Sequence, residues 1–322
     1  MRRREFLAMA GLAVAAPLAG RASAQVQNWP DKPVKLILPY APGGGTDLIG
    51  RPWAEKLGQS FGQQFIIENR GGASGIIGTE AASKAAPDGY TLLLTPNATL
   101  SVLPSLRKTP YDPKSFLPVA RVGDFVTGFS MHPAVGPKTF QAMIAYAKAN
   151  PGKLSYGSAG LGTATHLRIE MLKYRAGIDI LHVPYRGSAD ALNDHLPNTV
   201  QMMNEINTIP HVKAGKLLLL NINNSARHPD FPDVPTLSEC GYPNSDVPIW
   251  YALYAPAGTP KAIVAKLNAK IVELADSDEM RERMRSINTV VPTQTPEEMV
   301  AYLEEDTARN VELIKATNMK LE

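Results

Sequence analysis

Short apolar runs alternate with longer amphipathic segments along most of the chain. The apolar runs are rich in Val, Ile, Leu and Thr and have the length of β-strands. We predict strands at residues 34–38, 64–68, 91–95, 119–122, 154–157, 180–183, 199–203, 217–222 and 250–255. The segments between them show helical spacing, and we predict helices at residues 47–59, 76–85, 140–150, 163–176, 188–197, 261–275, 277–287 and 296–318. Such alternation favours an α/β fold with parallel sheets covered by helices.

Several predicted helices carry start signals. Thr139 is placed to cap the helix that follows it, and Pro260 and Pro296 each follow a threonine at a helix start. Pro52 conflicts with the pattern, because it falls inside the first predicted helix. We expect it to kink that helix or to delay its start.

Two glycine-rich turns each join a predicted strand to a predicted helix. The first is YAPGGGTD, from Tyr40 to Asp47, and the second is SAGLGT, from Ser158 to Thr163. Glycines let backbone N–H groups approach a ligand closely, and the following helix N-terminus adds partial positive charge. One such turn alone is more often a tight connection, but two that face each other would clamp a carboxylate or a phosphate.

The N-terminus reads as an export signal. Three arginines at positions 2–4 precede an apolar run at 6–18, and Ala22-Ser23-Ala24 forms a small-residue cleavage site. We therefore predict a signal peptide over residues 1–24, cleaved near Ala24, and a periplasmic mature protein. The paired arginines fit a Tat-like signal, and an ordinary Sec signal fits equally well.

Charge and size narrow the function classes. The chain has 33 basic and 30 acidic residues, and without the signal segment it has 29 of each. A near-neutral mature chain gives no support for nucleic-acid binding.

Cleavage leaves about 298 residues, which predicts two domains. Cys240 is the sole cysteine, and we interpret it as a small buried apolar residue in preference to a reactive thiol.

Enzyme and cofactor motifs are absent from the sequence. The segment from Tyr156 to Gly160 lacks the first glycine of a G-x-S-x-G nucleophile elbow, and neither glycine cluster fits G-x-G-x-x-G or a P-loop. The six histidines show neither H-x-H nor H-E-x-x-H spacing, so we expect no bound metal and no cofactor. These observations favour a binding protein over an enzyme.

A series of short motifs runs through the chain in a fixed order. They are YAPGGGTD (40–47), ENRG (68–71), GIIG (75–78), PDGY (87–90), YGSAGLGT (156–163), HVPYRG (182–187), KAGK (213–216), PDVPTLSE (232–239) and APAGTP (255–260). The series resembles the periplasmic solute receptors of tripartite tricarboxylate transporters, the Bug or TctC family. The resemblance covers the chain from about Trp29 to its C-terminus.

The resemblance implies a two-lobed type II periplasmic binding protein, or Venus flytrap, in which each lobe is a mixed, mainly parallel sheet covered by helices. One lobe would comprise residues 26–124 and 252–322, and the other residues 125–251. Crossing segments near 125–131 and 250–254 would form the hinge. A monomeric receptor of this kind closes around a small carboxylate and meets the membrane permease subunits of its transporter.

The resemblance places the ligand loops on the two glycine turns. The implied ligand-binding residues are Tyr40, Ala41, Gly43, Gly44, Gly45, Thr46, Asp47, Asn97, Thr99, Ser158, Ala159, Gly160, Gly162, Thr163, His166 and Glu205. For His166 a structural role beneath the loop, a ligand contact and a metal contact stay open. Asn97 and Thr99 are equally suited to reading a ligand and to capping a turn.

One segment departs from the family pattern. Members usually carry Val-Asp-x-Met-Phe-Asp where this chain has Val200-Gln-Met-Met-Asn-Glu205. Asn204 and Glu205 therefore make the predicted cleft floor more polar.

We expect a non-enzymatic receptor that captures a mono-, di- or aromatic carboxylate and delivers it to a tripartite transporter. A receptor that serves a periplasmic sensor is the alternative, and a hydrolase or isomerase acting on a carboxylate is a distant third.

Overall fold

The computed structural model describes residues 28–224, 226–243 and 249–317. The predicted signal peptide and its cleavage site lie outside these residues. The strands are β1 (Val34–Leu38), β2 (Phe65–Asn69), β3 (Thr91–Pro96), β4 (Phe116–Phe125), β5 (Ser130–Met131), β6 (Ser155–Ser158), β7 (Leu181–Pro184), β8 (Met202–Met203), β9 (Leu218–Leu219), β10 (Ile249–Pro256) and β11 (Thr289–Val290). The helices are α1 (Gly45–Phe61), α2 (Ile76–Ser83), α3 (Ala98–Ser101), α4 (Leu103–Leu106), α5 (Phe140–Ala149), α6 (Ala164–Ala176), α7 (Ser188–His195), α8 (Ile209–Lys213), α9 (Lys261–Ala275), α10 (Asp278–Ser286) and α11 (Pro296–Thr317).

The strands form two mixed sheets, one in each lobe. The first has the order β11-β4-β10-β3-β1-β2 and the second has the order β7-β6-β8-β5-β9. Parallel pairing joins β1 to β2 and β3, and it joins β6 to β7 and β8. The remaining pairings are antiparallel. The sheets are thus mixed as expected, but less parallel than the alternating pattern suggests, because β10 pairs antiparallel to both β3 and β4.

Helices cover both faces of the first sheet. Leu36 and Ile37, neighbours in β1, pack into different apolar clusters, since successive strand residues point to opposite faces. Trp53 of α1 and Leu267 of α9 belong to the first of these clusters, and Met299 of α11 belongs to the second. Strand β10 is buried along its whole length, as a central strand covered on both faces must be.

The second lobe has its own apolar core. Phe140 of α5, Ile169 of α6 and Met202 of β8 are buried there together. Cys240 is half-buried and packs against this core. The cysteine is therefore less buried than the sequence reading expects.

Most helix boundaries fall close to their predicted positions. Thr139 accepts a hydrogen bond from the N–H of Ala142 at 3.2 Å and so caps α5 as predicted. The prediction that Pro52 delays the first helix is wrong, because α1 begins at Gly45 and continues through the proline. Pro52 has no N–H to donate, but burial of neighbouring residues such as Trp53 stabilises the helix around it. None of the helices in the described ranges is long and apolar enough to cross a membrane.

Candidate ligand-binding cleft

The first glycine turn leads directly into α1. Gly44 precedes the helix in an extended conformation, with φ −86° and ψ 178°, and as a glycine it has no side chain that could cap the helix. Asp47 in the first turn accepts hydrogen bonds from the Gly43 N–H at 3.0 Å, from Arg51 Nε at 2.7 Å and from Asn69 Nδ2 at 3.2 Å. Burial alone would raise the pKa of Asp47, but these hydrogen bonds together hold it below its ordinary value. Asp47 thus holds the loop in shape as a carboxylate.

The second glycine turn is held by bonds within itself. Ser158 Oγ accepts from the Gly160 N–H at 3.1 Å and lies 2.7 Å from His182 Nε2. The Gly162 N–H donates to His166 Nδ1 at 3.0 Å. Thr163 Oγ1 accepts from the N–H of His166 at 3.4 Å and caps α6. The amides of Gly160 and Gly162, which the sequence offers as ligand donors, are therefore occupied inside the loop.

A stack of two histidines supports this second turn from below. The rings of His166 and His182 lie 4.1 Å apart, and the ring of Tyr156 is 4.7 Å from that of His182. Burial lowers the pKa of His166 to about 4 and that of His182 to about 3. Neutral imidazoles can accept and donate hydrogen bonds to the loop without adding charge. Over the residues that the structure describes, no group of three metal-ligating side chains is placed to hold an ion.

A third helix N-terminus faces the first turn. The sequence predicts this helix at 188–197 but not its place beside the first turn. Helix α7 begins at Ser188, and the Gly45 N–H donates to Ser188 Oγ at 3.3 Å across the gap between the lobes. A Cβ placed on Gly44 would lie 2.9 Å from the same oxygen. A local signal was present, since Gly187-Ser188 follows a strand just as the two predicted turns do.

The turns meet around a cavity of about 30 Å³. Its lining residues are Tyr40, Gly45, Thr46, Pro96, Ala159, Thr163, Ala164, Thr165, Ser188, Glu205, Ile249 and Tyr251. Six of the residues implied by the family resemblance are among them, namely Tyr40, Gly45, Thr46, Ala159, Thr163 and Glu205. Pro96, Ala164, Thr165, Ser188, Ile249 and Tyr251 were not predicted. Helices α1, α6 and α7 thus all point their N-termini at one small space.

The other predicted residues surround this cavity without lining it. Ala41, Gly43 and Gly44 lie on the side of the first turn that faces the start of α7. Asp47, Ser158, Gly160, Gly162 and His166 hold the two turns in shape by the hydrogen bonds given above. His166 supports the second turn through its Nδ1, and its contact with a ligand stays a prediction.

Asn97 and Thr99 lie behind the cavity. The Asn97 side chain turns toward helix α11, where its Nδ2 donates to Asp306 Oδ2 at 3.0 Å. Thr99 Oγ1 accepts from Thr95 Oγ1 at 2.8 Å and lies 3.5 Å from the hydroxyl of Tyr40. Thr99 is thus placed to support Tyr40, and the Asn97 amide belongs to a different part of the lobe interface.

Two tyrosines form the apolar wall of the cavity. Tyr40 donates its hydroxyl to the carbonyl of Ser74 at 2.9 Å, and burial raises its pKa to about 12. Tyr251 packs against Phe125 with ring centres 4.6 Å apart, and burial raises its pKa well above the ordinary value. Both hydroxyls therefore stay protonated and add no negative charge to the cleft.

Glu205 is the one carboxyl group that lines the cavity within the described residues. It is 4% exposed, and its Oε1 has no hydrogen-bond partner in the part of the chain that the structure describes. Burial raises the pKa of Glu205 to about 8, although the Thr165 hydroxyl and Arg168 act in the opposite direction. At neutral pH the group is thus a protonated acid, which can donate a hydrogen bond to an anion.

Stability should therefore depend on pH through Glu205. Its folded-state pKa of about 8 lies above the ordinary value of 4.5, so the folded protein keeps a proton that the unfolded chain releases. The contribution of this group to the free energy of unfolding then falls as pH rises from about 4.5 to about 8, by up to roughly 4 kcal/mol. Glu205→Gln should be more stable than the wild type at pH 8.5 and should lose that advantage near pH 5. Denaturant unfolding of both proteins at the two pH values measures the difference, and parallel pH profiles would contradict the assignment.

The comparisons with known proteins agree with this architecture. The family model described as tripartite tricarboxylate transporter family receptor matches residues 49–319. Protein BugT of Bordetella pertussis is 34% identical over 324 residues, which cover 98% of this chain and 96% of BugT.

Two solved structures share the fold over nearly their whole length. An R. palustris protein solved with adipate is 31% identical, with a TM-score of 0.88, and the match covers 91% of this chain and 99% of that one. MatC from Rhodopseudomonas palustris, solved with bound malate, is 30% identical, with a TM-score of 0.84, and the match covers 89% of this chain and all of MatC. This chain belongs to the family of tripartite tricarboxylate transporter receptors.

Proposed function

We propose that this chain is a periplasmic receptor that captures a small organic carboxylate between its lobes and delivers it to the membrane subunits of a tripartite tricarboxylate transporter. The observation that carries the proposal is the convergence of three helix N-termini, those of α1, α6 and α7, on one cavity. Each N-terminus carries about half a positive charge, so the space between them favours an anion.

The side chains at the cavity favour a carboxylate held by hydrogen bonds. Hydroxyl groups come from Thr46, Thr165 and Ser188, and the protonated Glu205 adds another donor. The hydroxyl of Thr163 also lines the cavity, but it donates to the Gly160 carbonyl at 2.7 Å. Among the described residues, no lysine or arginine lines this cavity. A carboxylate held without a cationic partner can be released again, which suits a receptor that must pass on its ligand.

We infer that the ligand enters by a hinge motion. The cavity of about 30 Å³ holds little more than one or two water molecules, so a dicarboxylate needs the lobes to part and close again. The chain passes from the first sheet to the second between β4 and β5 and returns before β10. These crossings support the proposed hinge at residues 125–131 and 250–254, with lobes at 26–124 plus 252–322 and at 125–251.

We infer that the ligand is a dicarboxylate. The donors line the cavity from both lobes, so a ligand with two carboxylates can meet one lobe with each end. The relatives solved with adipate and malate support this class. The family description supports delivery to a transporter, and the family and fold are those of receptors and not of enzymes.

A thermal-shift screen of the mature protein tests the ligand class. We expect linear dicarboxylates to raise the melting temperature by several degrees at saturating concentration, since a ligand that binds only the folded state stabilises it. The corresponding diamides, which keep shape and lose charge, should give no shift. A response to the diamides, or to none of the acids, would contradict a carboxylate site, and consumption of any acid by the pure protein would reveal an enzyme.

Transport is tested separately in cells. Deletion of the gene should abolish uptake of the radiolabelled dicarboxylate that binds in the screen, and a plasmid copy should restore it. Unchanged uptake with a lost transcriptional response to the same acid would favour the sensing role instead.

A further inference from the structure

A larger cavity lies next to the ligand cleft, on the side of helix α11. Its volume is about 420 Å³, compared with about 30 Å³ for the cavity between the glycine turns. Helix α6 of the second lobe forms one wall, and α11, the turn between α3 and α4, and the start of β10 form the other. Ala164 and Ile249 line both cavities, so the two cavities are adjacent. Their other lining residues are different.

The two lobes touch each other beside this cavity. Leu167 of α6 packs in one apolar cluster with Ala98, Val102 and Ile314 of the first lobe. Leu167, Val102, Met171 and Ile249 also face the cavity and give it an apolar body. A volume of this size is typical of sites for small organic molecules.

The charged lining of the cavity is mostly cationic. Arg168, Arg175 and Arg309 line it together with a single acid, Glu312, within the described residues. Arg309 lies 3.6 Å from Glu305, and the two side chains are 40% and 73% exposed. Exposed pairs of this kind are weak, so the carboxylate of an occupant can compete for the guanidinium group.

The side-chain oxygen of Asn97, on the floor of the cavity, is a hydrogen-bond acceptor to which no described group donates. Asn97 is 4% exposed, and its Nδ2 donates to Asp306, which also accepts from Ser101 and Asn310. The Oδ1 of Asn97 is buried and has no hydrogen-bond partner among residues 28–224, 226–243 and 249–317. Because an unsatisfied buried carbonyl is costly, the floor is suited to a ligand that brings an O–H or N–H group.

We propose that this cavity is a second ligand site, which takes a hydroxylated aromatic carboxylate. The ring lies among Val102, Leu167 and Met171, the carboxylate meets Arg309 at the rim, and the hydroxyl group donates to Asn97 Oδ1. Because both lobes line the site, an occupant also fixes how they lie relative to each other.

Calorimetric titration of the mature protein with p-hydroxyphenylacetate tests the site. We expect binding in the wild type, and Arg309→Glu should weaken it by about tenfold or more because it replaces attraction by repulsion at the rim. Arg281→Glu on α10 is the matched control, since it makes the same charge change at an exposed arginine outside the cavity lining, and it should bind like the wild type. Phenylacetate and p-hydroxyphenylacetamide should each bind more weakly than the probe.

The Thr46→Val variant separates the two sites. Thr46 lines the small cavity between the glycine turns and not this one, and valine keeps its shape while removing the hydroxyl. Probe binding that persists in this variant therefore supports the second site whether or not the proposed dicarboxylate function holds. Absent binding in the wild type, undiminished binding in Arg309→Glu, or loss of binding in Thr46→Val would each overturn the proposal.

Discussion

Gly44→Val is expected to weaken binding of the cleft ligand by roughly 10- to 100-fold while the protein stays folded. A Cβ at this position would lie 2.9 Å from Ser188 Oγ, so the valine would either push the first turn away from α7 in the closed state or turn the hydroxyl away from the Gly45 N–H that donates to it. Overpacking of this kind costs roughly 1–3 kcal/mol, which corresponds to the stated range of affinity. The backbone at Gly44, with φ −86° and ψ 178°, suits a β-branched residue, so the fold has no reason to fail. Calorimetric titration with the strongest dicarboxylate from the thermal-shift screen measures the loss.

Gly187→Ala provides the matched control across the same gap. Its backbone is extended, with φ 179°, and the new Cβ would lie 3.5 Å from the Cβ of Ala41, an ordinary contact. We expect its affinity to stay within a few-fold of the wild type. If both variants bind equally well, the two turns do not close on the ligand.

Gly160 offers a less direct test of the same idea. Its φ of +126° lies where side chains are strained, and a Cβ there would lie 2.6 Å from Ser74 Oγ of the other lobe. A substitution would thus combine backbone strain with an interlobe clash.

The two glycine turns were predictable because their determinants are local. A strand, a glycine turn and a helix start follow each other within a few residues at 34–47 and again at 154–166, and β1–α1 and β6–α6 form there. Helix boundaries were predictable for the same reason, and α9 spans the predicted residues 261–275. Pro52 misled the prediction because burial of α1 outweighs the cost of one lost backbone hydrogen bond.

The remaining walls of the cleft depend on contacts distant in sequence. Tyr251 reaches the cavity because β10 pairs with β3 and β4, and no local pattern near residue 251 indicates that pairing. Asn97 follows β3 at the expected place, but Asp306, 209 residues further along the chain, takes its amide. The identity of Glu205 was visible in the sequence, whereas its protonated state follows from burial in the folded protein.

Gly128→Ala is expected to destabilise the protein by more than about 4 kcal/mol or to prevent folding. Gly128 lies where the chain crosses from β4 of the first sheet to β5 of the second. A Cβ at this position would stand 1.7 Å from the backbone oxygen of Asn221. Because a backbone atom is in the way, no change of rotamer can relieve the clash.

The backbone around Asn221 cannot move away without losing other bonds. The N–H of Leu220 donates to the carbonyl of Phe129 at 2.9 Å, and the N–H of Asn223 donates to the carbonyl of Thr127 at 2.6 Å. The N–H of Phe129 donates to Asn221 Oδ1 at 3.0 Å. Separating the two segments would leave these buried groups unpaired, which adds to the cost of the clash.

Chemical unfolding followed by circular dichroism measures the effect of Gly128→Ala, with Gly58→Ala as the control. Gly58 lies inside α1, where a Cβ would be 3.4 Å from its nearest neighbour, and alanine favours a helix by about 1 kcal/mol over glycine. The control should therefore be as stable as the wild type or slightly more stable. A Gly128→Ala variant within about 1 kcal/mol of the wild type would contradict the close packing of the crossing, because unrelieved contact with a backbone oxygen cannot cost so little.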